Sequence, residues 1–342
     1  MIFIIYLGRI LQRNFIDYLE KKAMAPSTGT YQRGYMSKMT KHDKQMFQRR
    51  FCEKSLIKGS VPAMGHLAVL FGAVGTSYVV LTSKLTPVIT CLAFCFCVLV
   101  IIRQQRTLEN IVHFGSHNNF TRQKRLNDFL TNLLAAWPMM QDVSRYRVFH
   151  QTHHADYGSE RDPCRTRLEH IGVPMAEIDT NRKLFMTIVR WFPDYLVEYY
   201  REVRSSRKQT IFFLAWHLAI SICAALLVSI EFALFQAAIW LTCQLCLLPF
   251  LRSVAELSEH DYERGENIAE TTFNNLGWLD HLLIHPAGDA WHALHHLYPS
   301  VSWWKQRHAH KFLLKHDPSY QAVISRTGLI NREGSERSVL MA

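Results

Sequence analysis

A chain of 342 residues is long enough for one large domain or two small ones. Its 49% hydrophobic content is gathered into blocks, and 39 Lys and Arg against 28 Asp and Glu leave a net charge of +11. Such a balance suits nucleic acid or an anionic membrane surface. With no zinc-finger spacing and no aromatic RNP pattern, no nucleic acid partner is expected, and the apolar blocks favour the membrane. Six of the eight cysteines fall inside those blocks and no CxxC pair faces a second one, which speaks for small packing residues and against a disulfide framework.

The chain opens on a basic N-terminal segment, 1–55. Met1-Ile-Phe-Ile-Ile-Tyr-Leu7 is apolar but too short to span a bilayer. One hypothesis places the true start at Met24, Met36 or Met39. Residues 38–58 are strongly basic and read as a cytoplasmic flank. Four apolar blocks follow, at about 61–82, 85–102, 210–229 and 232–251, each near the length a span requires. Short turns join them into two hairpins. Arg103 and Arg106 are expected to end the second helix, which the pattern then continues to His117, and Arg252 to end the fourth. Basic residues crowd the N-terminal flank, the loop between the hairpins and the C-terminal region. The positive-inside tendency therefore puts the termini and the middle loop in the cytoplasm.

Between the hairpins, the stripe Leu126, Phe129, Leu130, Leu133, Leu134 and Trp137 predicts a helix over 125–143, lying in the interface plane or facing the core, with Pro138 as its kink or end. Residues 163–182 read as a loop broken by Pro163, Gly172 and Pro174. Trp191, Phe192, Tyr195, Tyr199 and Tyr200 suit the membrane interface. His66 and His217, inside spans, read as structural. Residues 303–315 form a basic amphipathic stretch, with His308 and His310, two apart, read as solvated and His316 just beyond. The membrane domain covers 56–320. A polar tail occupies 321–342 and is expected to be mobile from Ser325.

Nine other histidines carry the chemistry. His113 and His117 stand four apart. His150, His153 and His154 form H-x-x-H-H, and His292, His295 and His296 repeat it. Positions i, i+3 and i+4 share a helix face. His260 follows the fourth span as the first pair follows the second. Folding the hairpins side by side brings all nine together on one side of the membrane. Nine imidazoles are too many for one zinc and fit two metals of four or five ligands each. Iron, copper, zinc and nickel all accept imidazole. Carboxylates orient ligating rings by accepting the second ring proton. Asp162, Glu256, Glu259 and Asp261 are candidates for that role.

The boxes H-x-x-x-H, H-x-x-H-H and H-x-x-H-H, in this order and with two spans between the second and third, closely resemble the membrane-bound fatty acid desaturase superfamily. Asn110, three residues before the first box, Asp162-Pro163 after the second and Leu297-Tyr-Pro299 after the third add to the likeness. It implies an all-α integral membrane protein of four transmembrane helices in two hairpins, with a cytoplasmic helical cap holding the histidine-rich di-metal site. It also implies two non-haem iron ions held by His113, His117, His150, His153, His154, His292, His295 and His296. His260 matches an additional ligand of the family. The family's chemistry uses O2 and two electrons to activate an unreactive C–H bond. The expected activity is an O2-dependent desaturase placing a double bond in a fatty acyl or lipid-like chain. A hydroxylase on the same scaffold and a membrane metal transporter or sensor are the alternatives. The stretches around His113 and His260 look more like bacterial desaturase-like proteins, among them hydroxylases and enzymes of specialised metabolism. His285-Pro-Ala-Gly288 departs from the haem motif of cytochrome b5 at Ala287, so electrons are expected from a separate ferredoxin-like or cytochrome b5-like donor.

Overall fold

The computed structural model describes residues 35–327 apart from 179, 204–205 and 266; the apolar start, Met24 and the tail beyond 327 lie outside the described residues. Helix dominates, and the described strands pair into one two-stranded sheet.

Helix α1 (Lys41–Phe51) starts on Thr40, whose hydroxyl accepts from the Asp43 N–H at 3.1 Å. Helices α2 (Leu56–Thr82) and α3 (Pro87–Ser116) form the first hairpin, and Pro87 sits where its missing N–H costs no helical bond. Thirty residues make α3 about 45 Å long, well beyond a hydrocarbon core of about 30 Å. The overhang, 104–116, is buried in protein at every position.

The stripe beyond it breaks into three pieces: α4 (Lys124–Thr131), a π turn over Asn132–Ala136 and a 3-10 turn over Trp137–Met139. Pro138 ends the run, and Met140 takes a left-handed φ of 53°. Ala135 and Ala136 lie in the core with Leu130 and Leu134 packed against it, so the segment faces the core and does not float in the interface plane. Helix α5 (Val143–Ala155) is capped by Asp142.

Residues 163–171, expected as loop, are helix α6 (Pro163–Ile171). Pro163 occupies the first helical position behind the Asp162 cap, and Gly172 closes the helix at φ 78°. Proline and glycine mark the ends of this helix, where the sequence reading took them for breaks inside a loop. Helix α7 (Asn181–Val203) carries the aromatic group. Tyr195 and Tyr199 are buried among helices.

The second hairpin pairs α8 (Arg207–Leu227) with α9 (Ile230–Thr242), which runs through a π turn at Cys243–Leu247 into α10 (Leu248–Glu259). A π turn diverts backbone carbonyls from the regular ladder. Here Tyr199 donates to Gln244 O at 3.3 Å and Tyr200 to Leu245 O, so the diverted carbonyls gain partners from α7. Four helical stretches, 56–82, 87–116, 207–227 and 230–259, are long and apolar enough to cross a membrane. Leu92, Phe96, Leu226, Leu227 and Leu234 point outward over their surface, as residues facing lipid do. Between the hairpins, Phe71 packs 5.7 Å from Trp240, and Gln105 donates to Trp240 O at 3.0 Å. His66 meets Gln104 at 2.9 Å and His217 meets Pro138 O at 3.2 Å, the structural roles expected of them.

Arg106 and Arg252 end no helix. Both are buried inside continuous helix and answered by carboxylates. The remaining elements are α11 (Ile268–Thr271), β1 (Asn274–Asn275), α12 (His292–Leu297), α13 (Gln306–His316) and β2 (Ser325–Arg326). Strand β2 lies parallel to β1, and the Arg326 guanidinium sits 3.4 Å above the Phe273 ring, so the tail is anchored at residues where mobility was expected. His308 is exposed as expected, but His310 is buried against the Tyr320 hydroxyl at 2.9 Å, and His316 stacks on Phe312 and meets Asp43 at 3.2 Å.

Gly115 lies between His113 and His117, and a Cβ there would run into the Thr131 side chain. Gly115→Ala is expected to destabilise the protein by about 1–3 kcal/mol through overpacking. The check is a lowered melting temperature in detergent; an unchanged melt would show that Thr131 yields freely.

Candidate metal centre

Three helices deliver eight of the nine histidines, and a loop start places the ninth. The buried end of α3 presents His113, and His117 caps it. The last two turns of α5 present His150, His153 and His154. His260 leaves the end of α10 in extended conformation, bridged to Thr272. The short α12 presents His292, His295 and His296 on a single buried face.

The rings converge as two groups. In the first, His113, His117, His150, His154 and His295 each offer a nitrogen, all within 4.8 Å of one another; in the second, His153, His260, His292 and His296 do the same. Nε2 of His295 lies 2.7 Å from that of His113, 3.2 Å from that of His150 and 3.0 Å from that of His154. In the second group, Nε2 atoms of His153 and His296, of His292 and His260, and of His296 and His292 are 3.2, 3.0 and 3.2 Å apart. The groups touch: the rings of His154 and His296 stack at 4.3 Å. The paired boxes are thus divided between centres, with His150 and His154 in one and His153 in the other.

Tautomers are held from outside. His113 Nδ1–H donates to Asp289 Oδ1 at 3.0 Å, and His153 Nδ1–H donates to Asp162 Oδ1 at 2.8 Å. Each bond leaves a bare Nε2 facing its group. The Tyr157 hydroxyl stands 3.1 Å from His260 Nδ1. Burial drives the imidazolium forms of His150, His154, His260, His295 and His296 well below the ordinary histidine range, and the neighbouring imidazoles push the same way. His117 is pushed down to about 3, chiefly by burial, with its neighbours His113, Lys54 and Arg147 acting in the same direction. Converging lone pairs on neutral rings repel unless a cation lies between them. Nitrogens about 2.1 Å from one metal sit about 3 Å apart on adjacent sites. The donor set therefore fits two metal ions, one with five imidazoles and one with four.

Among the carboxylates, Asp162 behaves as expected and does more. It caps α6, accepting from Cys164 N at 2.9 Å, and takes the Gly158 N–H at 2.9 Å on its other oxygen. Glu259 approaches His292 Nε2 at 3.7 Å and His285 Nδ1 at 3.4 Å. Glu256 does otherwise than expected: its two oxygens are engaged by Arg252 at 2.9 Å and Arg167 at 2.6 Å, since guanidinium groups reach it first. Asp261 helps hold the loop through its backbone, whose N–H donates to Thr271 O at 2.8 Å. Asn110, three residues before the first box, donates to Pro286 O at 2.8 Å, tying α3 to the segment before α12. The sequence reading missed Asp289. It serves His113, receives Arg106 at 3.2 Å and lies 3.7 Å from His285 Nδ1. Its signal was a carboxylate three residues before His292.

A helical scaffold with four membrane-length spans that packs nine imidazoles, eight of them buried, into two metal-sized groups defines a class of membrane protein with a candidate two-metal centre. The family model for fatty acid desaturases matches residues 88–328, a span from α3 through β2 that includes all nine histidines. The chain belongs to the fatty acid desaturase family. It is similar to a dihydrorhizobitoxine desaturase of Bradyrhizobium elkanii, 26% identical over 257 residues that cover 68% of this chain and 70% of that protein.

Proposed function

We propose that the protein is an O2-dependent desaturase whose two histidine groups each hold one non-haem iron ion. The observation that carries this reading is the division of nine imidazoles into sets of five and four that touch through His154 and His296. When bound, the metal pair would supply O2 activation and the two-electron chemistry that removes hydrogen from an unreactive C–H bond. The chain's own part is to hold Nε2 bare by taking the Nδ1 protons of His113 and His153 on Asp289 and Asp162. It also shields the rings from bulk solvent, since eight of the nine are buried. Family membership makes a fatty acyl or lipid-like chain the first substrate to assay, and the relative's name offers dihydrorhizobitoxine as another. Electrons would come from a separate ferredoxin-like or cytochrome b5-like donor. The charge bias of the flanks supports placing the histidines on the cytoplasmic side.

Metal analysis of the purified chain is expected to give about two irons per chain, one per set of four or five imidazole ligands. Products formed under 18O2 then separate desaturation from hydroxylation. Loss of two hydrogens without label means a double bond; a retained label means an alcohol. A chain that binds no iron when supplied with it would end the reading.

A further inference from the structure

A cavity of about 70 Å³ borders both histidine groups, reaching His113 and His150 of one and His153, His260 and His292 of the other. It has room for roughly five water-sized groups, so a long acyl chain cannot lie in it. Tyr146, Phe149, Leu168 and Tyr262 supply the less polar part of its wall, and much of the rest is charged. Arg106, Arg167, Arg252, Glu109, Glu256 and Gln141 line it, with Glu259 and Asp289 nearest the rings. The guanidinium groups are paired with carboxylates: Arg252 and Arg167 share Glu202 and Glu256, and Arg106 is held by Glu109 and Asp289.

The pairing leaves valences over. Arg167 Nε, Arg252 Nη1 and Gln141 Oε1 are buried without a hydrogen-bond partner, although Gln141 donates its amide to Glu109 at 3.5 Å and Arg252 Nη1 lies 3.7 Å from Glu109. Buried polar groups in native proteins find partners. Two unused donors ask for an anionic or carbonyl acceptor, and one unused acceptor beside a glutamate asks for a donor. A plain anion would face four carboxylates, and a plain cation three guanidinium groups. An alkyl chain would answer none of the three atoms.

We propose that this cavity seats the substrate of the desaturase reaction and that the substrate is a small zwitterion, an amino acid or close derivative, with its carboxylate toward Arg167 and Arg252 and its amino group toward Gln141 and Glu109. The inference rests on the proposed reaction and names its substrate class. The balance is plain: two adjacent C–H bonds break and a C=C bond forms. O2 leaves as two waters, taking those two hydrogens together with two electrons and two protons from the external donor.

The test is saturation-transfer NMR on the full chain in nanodiscs, with a mixture of free amino acids as one probe and palmitate as the other. Iron content and O2 uptake are measured on the same samples. Amino acid signals are expected to respond with the wild-type chain and to weaken roughly tenfold in Gln141→Leu and Arg167→Lys, as loss of a buried polar contact implies, while iron content stays unchanged. Silence from every amino acid, equal response in all three proteins, or response from palmitate alone would overturn the proposal. An amino acid response in a chain that takes up neither iron nor O2 would uphold the binding seat and sink the proposed reaction instead. Iron and O2 uptake with desaturated lipid and no amino acid response would do the reverse.

Discussion

Replacing His295 with alanine is expected to abolish turnover and to reduce bound iron from about two per chain to about one, as removal of a ligand shared across a five-imidazole set predicts. His295 is the hub of the first group, fully buried, with three other Nε2 atoms within 3.2 Å. No other ring in the group is so placed in the distances above. Its removal opens the set on the side of α12 and leaves His113, His150 and His154 without a common opposing donor. The second group keeps all four of its rings, so the loss should stop at one metal. Deleting a buried ring also leaves a cavity that costs a few kcal/mol, and a partly unfolded chain would lose both metals. Iron content and membrane retention therefore have to be read together. His308→Ala, on an exposed ring of α13, is the control and should change neither iron nor turnover. If the His295→Ala chain keeps two irons and full turnover, His295 is no ligand.

The extent to which this site was legible depends on the kind of interaction. Helix periodicity is local, so the four spans, the run of α3 past the membrane and the shared faces of His150, His153, His154 and of His292, His295, His296 follow from spacing alone. The partition of the rings does not. Spacing places His150 and His153 on one face; only the docking of α12 against α5 sends them to different groups. Charge was read as a marker of where a helix leaves the membrane, and Arg106 and Arg252 were placed at helix ends on that ground. A buried guanidinium is tolerable only beside carboxylates that come from elsewhere, here Asp289, 183 positions away from Arg106, and Glu202, 50 positions away from Arg252. Nothing local in the sequence announces such a partner. Pro163 and Gly172 show the converse: their conformational preferences were known, but the same residues punctuate a loop or bound a helix, and the Asp162 cap decides between the two.

Asp289→Asn is expected to weaken iron binding about 10–100-fold, the range for loss of a carboxylate that orients a ligating imidazole. The change is nearly isosteric, so it removes charge and little shape. Four groups feel it, among them His292 of the second group, whose Nδ1 lies 3.9 Å from Asp289 Oδ1. His113 Nδ1–H loses its anionic acceptor at 3.0 Å, which loosens the tautomer that points a bare Nε2 at His295. Arg106 loses a carboxylate at 3.2 Å but keeps Glu109 at 3.4 Å and Glu259 at 3.6 Å. His285 loses one of the two acceptors whose hydrogen bonds outweigh burial and raise it to about 9. Because Arg106 stays paired, the cost in stability should fall short of the 3–5 kcal/mol or so of a fully orphaned buried charge. Metal affinity should suffer more than folding. Asp162→Asn makes the contrast. That carboxylate orients His153 and also caps α6, so the substitution should lower the melting temperature as well as the iron affinity. Competition with a chelator measures affinity, and a thermal melt of the metal-free chain measures folding. Unchanged iron affinity in Asp289→Asn would show that Asp289 serves the arginine alone and that His113 is oriented by packing against Phe114, whose ring stacks on it at 5.0 Å.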